Sequence, residues 1–222
     1  MNAKQTGCSF PTRAARATTV TRAARTMTLA VLAAATLGGC VALAIGGAAV
    51  GTAMVVTDRR TAGVQVEDQS IELKSRTRIR EAVADRGHVN TTSFNRMVLI
   101  TGEVANDADR TAVEQAIARI ENVRSTVNDL AVMEPTSLAQ RSGDTILTSK
   151  VKATFVDAKD LQSQAIKVVT ERGTVYLLGR VTEREASRAA ELARSISGVQ
   201  KVVRVFEILT EAELGTLGDQ KK

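Results

Sequence analysis

The chain has 222 residues, with 30 lysines and arginines, 24 aspartates and glutamates, and a formal net charge of +6. Residues 1–39 carry five of the basic residues and no acidic residue, so residues 40–222 hold 25 basic against 24 acidic residues. Because that longer part is almost neutral, a basic surface for nucleic acid is not expected there.

The first 39 residues have the layout of a secretory signal. Five basic residues, from Lys4 to Arg25, precede a short apolar stretch from Met27 to Leu37 that ends in small residues. This order of a positive region, an apolar region and small residues is typical of a signal peptide. An uncleaved membrane anchor remains an alternative, and so does translation from Met27 in place of Met1.

The last three residues of this segment and the cysteine after them resemble a bacterial lipobox. In Leu37-Gly38-Gly39-Cys40, an aliphatic residue and two small residues precede a cysteine. The resemblance implies that residues 1–39 are removed and that Cys40 carries a diacylglycerol and an acyl chain. Val41 follows Cys40, and by resemblance to lipoprotein sorting in Gram-negative bacteria this favours the outer membrane. Residues 40–63 are then a lipidated, Gly/Ala-rich tether.

The rest of the chain contains an internal repeat. Residues 68–132 align with residues 144–208 at an offset of 76, which becomes 77 in the middle, as Asp68 with Asp144 and Gly102 with Gly179 show. We expect two domains, 64–134 and 144–210, that fold separately, with a linker at 135–143. Residues 211–222 are a polar tail.

Each copy reads as helix, strand, strand, helix, strand. In the second copy the pattern predicts a helix over 144–157, strands at 166–168 and 174–178, a helix from a capping box at Thr182 to about Ile196, and a strand over 199–209. The fold class is α+β, with a three-stranded mixed sheet and two helices on one face of it. The core of a domain of about 70 residues is modest, so pairing or anchoring should add to its stability.

These repeats resemble the BON domain. The similar segments are "LITGEV" and "ENVRSTV" in the first copy and "LLGRV" and "SGVQKVV" in the second. Together with the lipobox, they are similar to the dual-BON outer-membrane lipoproteins of proteobacteria. The resemblance implies a non-enzymatic, lipid-anchored protein on the periplasmic face of the outer membrane. It also implies phospholipid binding through the first helix of the second copy and a role in envelope integrity.

Helical periodicity gives the same helix two different faces. Leu147, Val151 and Phe155 share an arc that should face the core. The opposite arc is unusually apolar and has lysines at its margins: Ile146, Ser149, Lys150, Lys152, Ala153 and Val156. The equivalent arc of the first copy is an ordinary solvated face: Ser70, Leu73, Thr77 and Arg80.

An apolar arc between lysines suits the interface of an anionic phospholipid membrane, which we expect to be the partner. Two alternatives remain open. The arc packs against the other copy, or it binds an envelope protein, which would make the chain a periplasmic interaction module of an assembly or cell-wall remodelling machine.

The residues suggest no enzyme and no metal site. Cys8 would leave with the signal peptide and Cys40 would carry lipid, so neither is available for a disulfide or a metal cluster. His88 is the single histidine, and no carboxylate pair stands at ligand spacing from it in the sequence, so we expect a solvated loop histidine. No cofactor is expected besides the covalent lipid on Cys40.

Overall fold

The structure is a computed structural model, and it describes residues 58–84 and 86–219. The predicted signal peptide, Cys40 and most of the predicted tether lie outside these residues. Within the described ranges, no helix is both long and apolar enough to cross a membrane. All described residues belong to one compact unit of the chain.

The element order is the predicted one in both copies. The helices of the described part are α1 (Ala62–Val83), α2 (Asp107–Ala118), α3 (Leu138–Asp157), α4 (Glu183–Arg194) and α5 (Glu211–Asp219). The strands are β1 (Gly87–Phe94), β2 (Met97–Val104), β3 (Ser125–Val132), β4 (Ile166–Glu171), β5 (Thr174–Val181) and β6 (Lys201–Ile208). A short 3₁₀ turn, Ser163–Ala165, leads into β4.

The strands form two three-stranded sheets, ordered β1-β2-β3 and β4-β5-β6. In each sheet the middle strand pairs antiparallel with the strand before it and parallel with the strand after it. The parallel pair needs a crossover, which α2 and α4 provide. The predicted α+β fold with mixed sheets is therefore confirmed.

One aspartate in each copy ties the first helix to the hairpin. Asp144 of α3 accepts hydrogen bonds from the backbone N–H groups of Arg172 and Gly173, each at 2.8 Å. Both turn residues have positive φ, as a tight two-residue hairpin requires. Asp68 of α1 accepts at 2.8 Å from the two equivalent turn residues, Asn95 and Arg96.

The helices of each copy pack on one face of its sheet. In the first domain, alternate residues of β2, Val98 and Ile100, join residues of both helices in the core. In the second domain, Val175 and Leu177 of β5 do the same with α3 and α4.

The opposite faces of the two sheets pack against each other. Phe94 and Leu99 of the first domain form one buried cluster with Tyr176, Leu178 and Val205 of the second. The second face of each sheet is therefore covered by the other domain, a contact that the sequence does not predict. Each small domain thus gains additional buried apolar surface from its contact with the other copy.

Polar contacts surround this shared core. The hydroxyl of Tyr176 donates to Asp129 Oδ2 at 2.6 Å. Burial and this hydrogen bond raise the pKa of Tyr176 far above its ordinary value, so the hydroxyl remains a neutral donor. Arg59, just before α1, forms two hydrogen bonds with Glu185 at the start of α4, at 2.7 and 2.8 Å.

The segment predicted as a linker is helical from Leu138 onward. Ser137 and Gln140 form a capping box that begins α3 six residues before the predicted start. The predicted box of Thr182 and Glu185 is confirmed and begins α4, which ends at Arg194, slightly before the predicted end. Strand β4 extends to Glu171, beyond the predicted bound, because the hairpin turn is only two residues long. Strand β5 extends to Val181 because its last residues pair with β6.

Candidate functional site

Helix α3 carries the candidate binding surface. It has 20 residues and packs on the second domain through Leu147, Val151 and Phe155, all buried. At 1.5 Å per residue the helix is about 30 Å long. Its other face is free to meet a ligand, because the contact between the domains is made by the sheets.

The residues predicted to face outward are all exposed. Ile146 is 57% exposed and Val156 is 71% exposed, while Ser149, Ala153 and the two lysines are exposed as well. Leu138, at 79% exposure, lies on the same arc two turns before Ile146. We call Leu138, Ile146, Ala153 and Val156 the apolar strip.

Leu138 was missed because the sequence pattern placed it in a linker. The signal that identifies it is the spacing of Ser137 and Gln140, which matches a capping box and therefore extends the helix back to Leu138. With Leu138 included, the strip runs along nearly the whole helix, about 27 Å from Leu138 to Val156.

The hydroxyl groups beside the apolar strip are already satisfied. Ser142, Thr145 and Ser149 each donate to the carbonyl oxygen four residues earlier, at 2.9 to 3.0 Å. A polar group that enters an apolar phase without a partner costs several kcal/mol, about 4 to 8 for transfer to a hydrocarbon. These back-bonded hydroxyls avoid that cost, so this face has a lower desolvation penalty than its composition suggests.

The two lysines stand on either side of the strip. Lys150 and Lys152 are exposed, and neither forms an ion pair with another described residue. Their charges are therefore available to an anion. Helix α1 exposes two apolar residues on one face, Val66 and Leu73, but the cations beside them are paired, Lys74 with Glu121 at 3.6 Å and Arg78 with Glu81 at 3.0 Å.

A shallow groove of about 600 Å³ adjoins the strip near the start of α3. Ile146 and Lys150 form its helix side, and Met133 and Gly198 lie among its other walls. Arg172 also lines it, but the guanidinium is already bound to Glu103 and to the carbonyl of Gly102. Of the two cations that line this groove, Lys150 is the one without an ion pair to a described residue.

The expectation for His88 is wrong in two respects. His88 lies in β1, not in a loop, and the fold brings two carboxylates to it. Glu103 stands opposite His88 in the register of β1 and β2, and Glu171 comes from the second domain. Burial alone would raise the pKa of Glu103, but hydrogen bonds from Arg172 and Thr136 outweigh it and hold the pKa below its ordinary value.

Comparison with known families matches the BON domain twice, over residues 67–134 and 143–210. These ranges together span more than half of the chain and coincide with the two structural copies.

Three curated relatives are similar over most of their length. The chain is 41% identical over 186 residues to the outer membrane lipoprotein DolP of Haemophilus influenzae, with 82% of this chain and 95% of that protein covered. It is 28% identical to the 21 kDa hemolysin of Actinobacillus pleuropneumoniae, covering 67% of this chain and 78% of that protein. It is 26% identical to the osmotically-inducible protein Y of Escherichia coli, covering 62% and 70%.

Proposed function

This chain belongs to the BON-domain family as a dual-BON outer-membrane lipoprotein, and on that premise we propose that it is a non-enzymatic protein that binds anionic phospholipid through α3. The binding supports the integrity of the outer membrane and envelope. The observation that carries the proposal is the asymmetry of the two copies. Helix α1 exposes Val66 and Leu73, but the lysine beside them, Lys74, is paired with Glu121. Helix α3 exposes the longer apolar strip, and the lysines at its margins form no ion pair with a described residue.

The strip supplies favourable energy for entry into the acyl boundary of a membrane. Moving an exposed Leu, Ile or Val side chain out of water is worth about 1.5 to 3 kcal/mol when burial is complete. Leu138, Ile146 and Val156 are exposed enough to gain part of this. Because the neighbouring hydroxyls are bonded within the helix, little polar desolvation opposes the gain.

The lysines supply the preference for anionic lipid. Each cation held near an anionic surface contributes about 1 kcal/mol, and salt screens the attraction. Lys150 and Lys152 lie at the margins of the strip, where phosphates of the headgroups would be when the strip enters the acyl region. An amphipathic helix with this arrangement lies in the plane of the interface and does not cross the bilayer.

The lipid on Cys40 and the surface of α3 have different tasks in this proposal. The covalent lipid attaches the protein to the membrane, so α3 need not provide attachment. A tethered site meets its ligand at a high effective concentration, and modest affinity is then enough for occupancy. In this proposal the second domain binds anionic lipid in the membrane to which the protein is anchored.

Co-sedimentation with vesicles tests the proposal. Fragment 58–222, which contains both domains and their shared core, should sediment with vesicles of phosphatidylglycerol and phosphatidylcholine and much less with phosphatidylcholine alone. No binding to either kind of vesicle would contradict the proposal. That result would favour the alternative in which α3 contacts an envelope protein.

A further inference from the structure

Three potential metal ligands from both domains converge at the edge of the domain interface. They are His88 of β1, Glu103 of β2 and Glu171 at the end of β4, and their ligand atoms all lie within 4.8 Å of one another. Both carboxylates are buried, Glu103 completely and Glu171 at 4% exposure. The sequence gives no sign of this cluster, because Glu171 lies 83 residues after His88.

The imidazole of His88 has an unused ligand atom inside this cluster. Its Nδ1 is buried and has no hydrogen-bond partner among the described residues. The nearest carboxylate atom is Glu103 Oε2, at 3.5 Å, which is too long for a good hydrogen bond. A buried polar atom without a partner is costly, so it calls for an explanation.

The carboxylates retain lone pairs that face the imidazole. Glu103 accepts a hydrogen bond from Arg172 through Oε1 at 2.9 Å and two longer ones from Thr136 through Oε2, at 3.2 and 3.3 Å, which a cation on Oε2 would replace. Glu171 accepts a hydrogen bond from the amide of Asn90 at 3.0 Å. Each carboxylate therefore has an oxygen that can accept a cation.

We propose that His88, Glu103 and Glu171 form a binding site for a divalent transition metal of the zinc class. Imidazole is a ligand for zinc and other first-row transition metals, and zinc also binds carboxylate oxygens, whereas calcium and magnesium prefer oxygen ligands alone. Zinc is usually bound in tetrahedral geometry, and the fourth ligand is water where three protein ligands are present. An open groove of about 420 Å³, lined by His88 and Glu171, gives water access to that position.

The bound metal joins the two domains. His88 and Glu103 belong to the first sheet and Glu171 to the second, so coordination adds a link beside the shared apolar core. The close approach of β1 and β2 beside His88 requires a glycine at position 102, because a Cβ there would collide with the carbonyl oxygen of His88. A metal that binds only the folded pair stabilises that pair by mass action.

The single histidine permits a direct test. Because His88 is the only histidine, the imidazole nitrogen resonances of the ¹⁵N-labelled full chain in detergent belong to it without further assignment. Addition of zinc to the metal-free, untagged protein should shift one imidazole nitrogen to the position of a metal-bound nitrogen and leave the other protonated. Unchanged resonances at saturating zinc, or a change that matches simple protonation, would overturn the proposal.

Titration calorimetry with zinc gives a second and independent measurement. Loss of an outer hydrogen-bond partner already costs about ten- to a hundredfold in metal affinity, so Glu171→Gln and His88→Ala should each cost at least that. Glu121→Gln, at an exposed carboxylate of the first domain, is the matched control and should bind as the wild type does. Equal affinity in all four proteins would contradict the assignment of these ligands.

Discussion

Arg124, just before β3, forms an ion pair with Glu207 of β6, with 2.9 Å between Nη2 and Oε2. The pair joins the two domains, and Asn95 of the first domain donates to the same oxygen at 2.6 Å. Burial alone would raise the pKa of Glu207, but the bonds from Arg124 and Asn95 outweigh it and lower the pKa below its ordinary value.

This lowered pKa predicts a loss of stability in acid. A carboxylate whose pKa is lower in the folded state contributes its stability above the pKa of the unfolded chain, about 4.3 for Glu. The contribution is lost as the pH falls through the folded-state pKa. Glu207→Gln should therefore lower the free energy of unfolding at pH 7, by about 1 kcal/mol or less because the group is partly exposed, and have a smaller effect near pH 3. Urea unfolding at both pH values measures this, with Glu121→Gln as the control. The same deficit at both pH values would contradict it.

Charge on the apolar strip should abolish vesicle binding without unfolding the domain. Ile146→Asp with Val156→Asp should greatly weaken co-sedimentation with anionic vesicles, while each exposed change shifts stability by no more than about 0.5 kcal/mol. Leu73→Asp on α1, at a residue with similar exposure, is the matched control and should bind normally.

The inward face of α3 provides the opposite control. Val151→Asp should unfold the second domain, because it buries an unpaired charge. If the double variant on the strip unfolds the protein as Val151→Asp does, the strip is an interior contact and the lipid proposal fails.

The lysines should determine lipid selectivity and salt dependence. Lys150→Glu with Lys152→Glu should weaken binding to anionic vesicles more than to neutral vesicles, since each cation is worth about 1 kcal/mol near an anionic surface. Wild-type binding should fall between low salt and 0.5 M salt, and binding of the variant should change little. An equal loss on both kinds of vesicle would show that the lysines act through structure.

We predict that processing depends on Cys40. Cys40→Ser should leave an unprocessed precursor that retains residues 1–39, because the resemblance to a lipobox implies that Cys40 is the acylated residue. Mass spectrometry of the wild-type protein should find a mature chain that begins with an acylated Cys40. A different N-terminus, or a chain without acyl groups, would contradict this.

The shared core predicts that the two domains unfold together. Leu99→Ala, in the first domain, removes a fully buried side chain from the interface with Tyr176 and Leu178. It should cost about 2 to 5 kcal/mol and increase amide exchange in β5 of the second domain. Fragment 137–210, which exposes this face, should be less stable than the second domain in fragment 58–222. Unchanged exchange in β5 would show that the domains are energetically independent.

The sequence was sufficient to predict the local structure of α3 and its two faces. Leu147, Val151 and Phe155 are buried and Ile146 and Val156 are exposed, as a period of 3.6 residues requires. The repeat, the order of helices and strands along the chain, and the capping box at Thr182 follow from similarly local sequence patterns. Leu138 was missed because a second capping box, at Ser137, was not recognised.

The tertiary structure decided what covers the second face of each sheet. Continuous apolar runs in β2 and β5, such as Val98-Leu99-Ile100 and Tyr176-Leu177-Leu178, indicate strands buried on both faces, but they do not say which surface provides the cover. In the structure each sheet is covered by the sheet of the other domain. This packing also places Glu171 beside His88 and Glu207 beside Arg124. These contacts join residues more than 80 positions apart in the chain, and periodicity and capping carry no information over such distances.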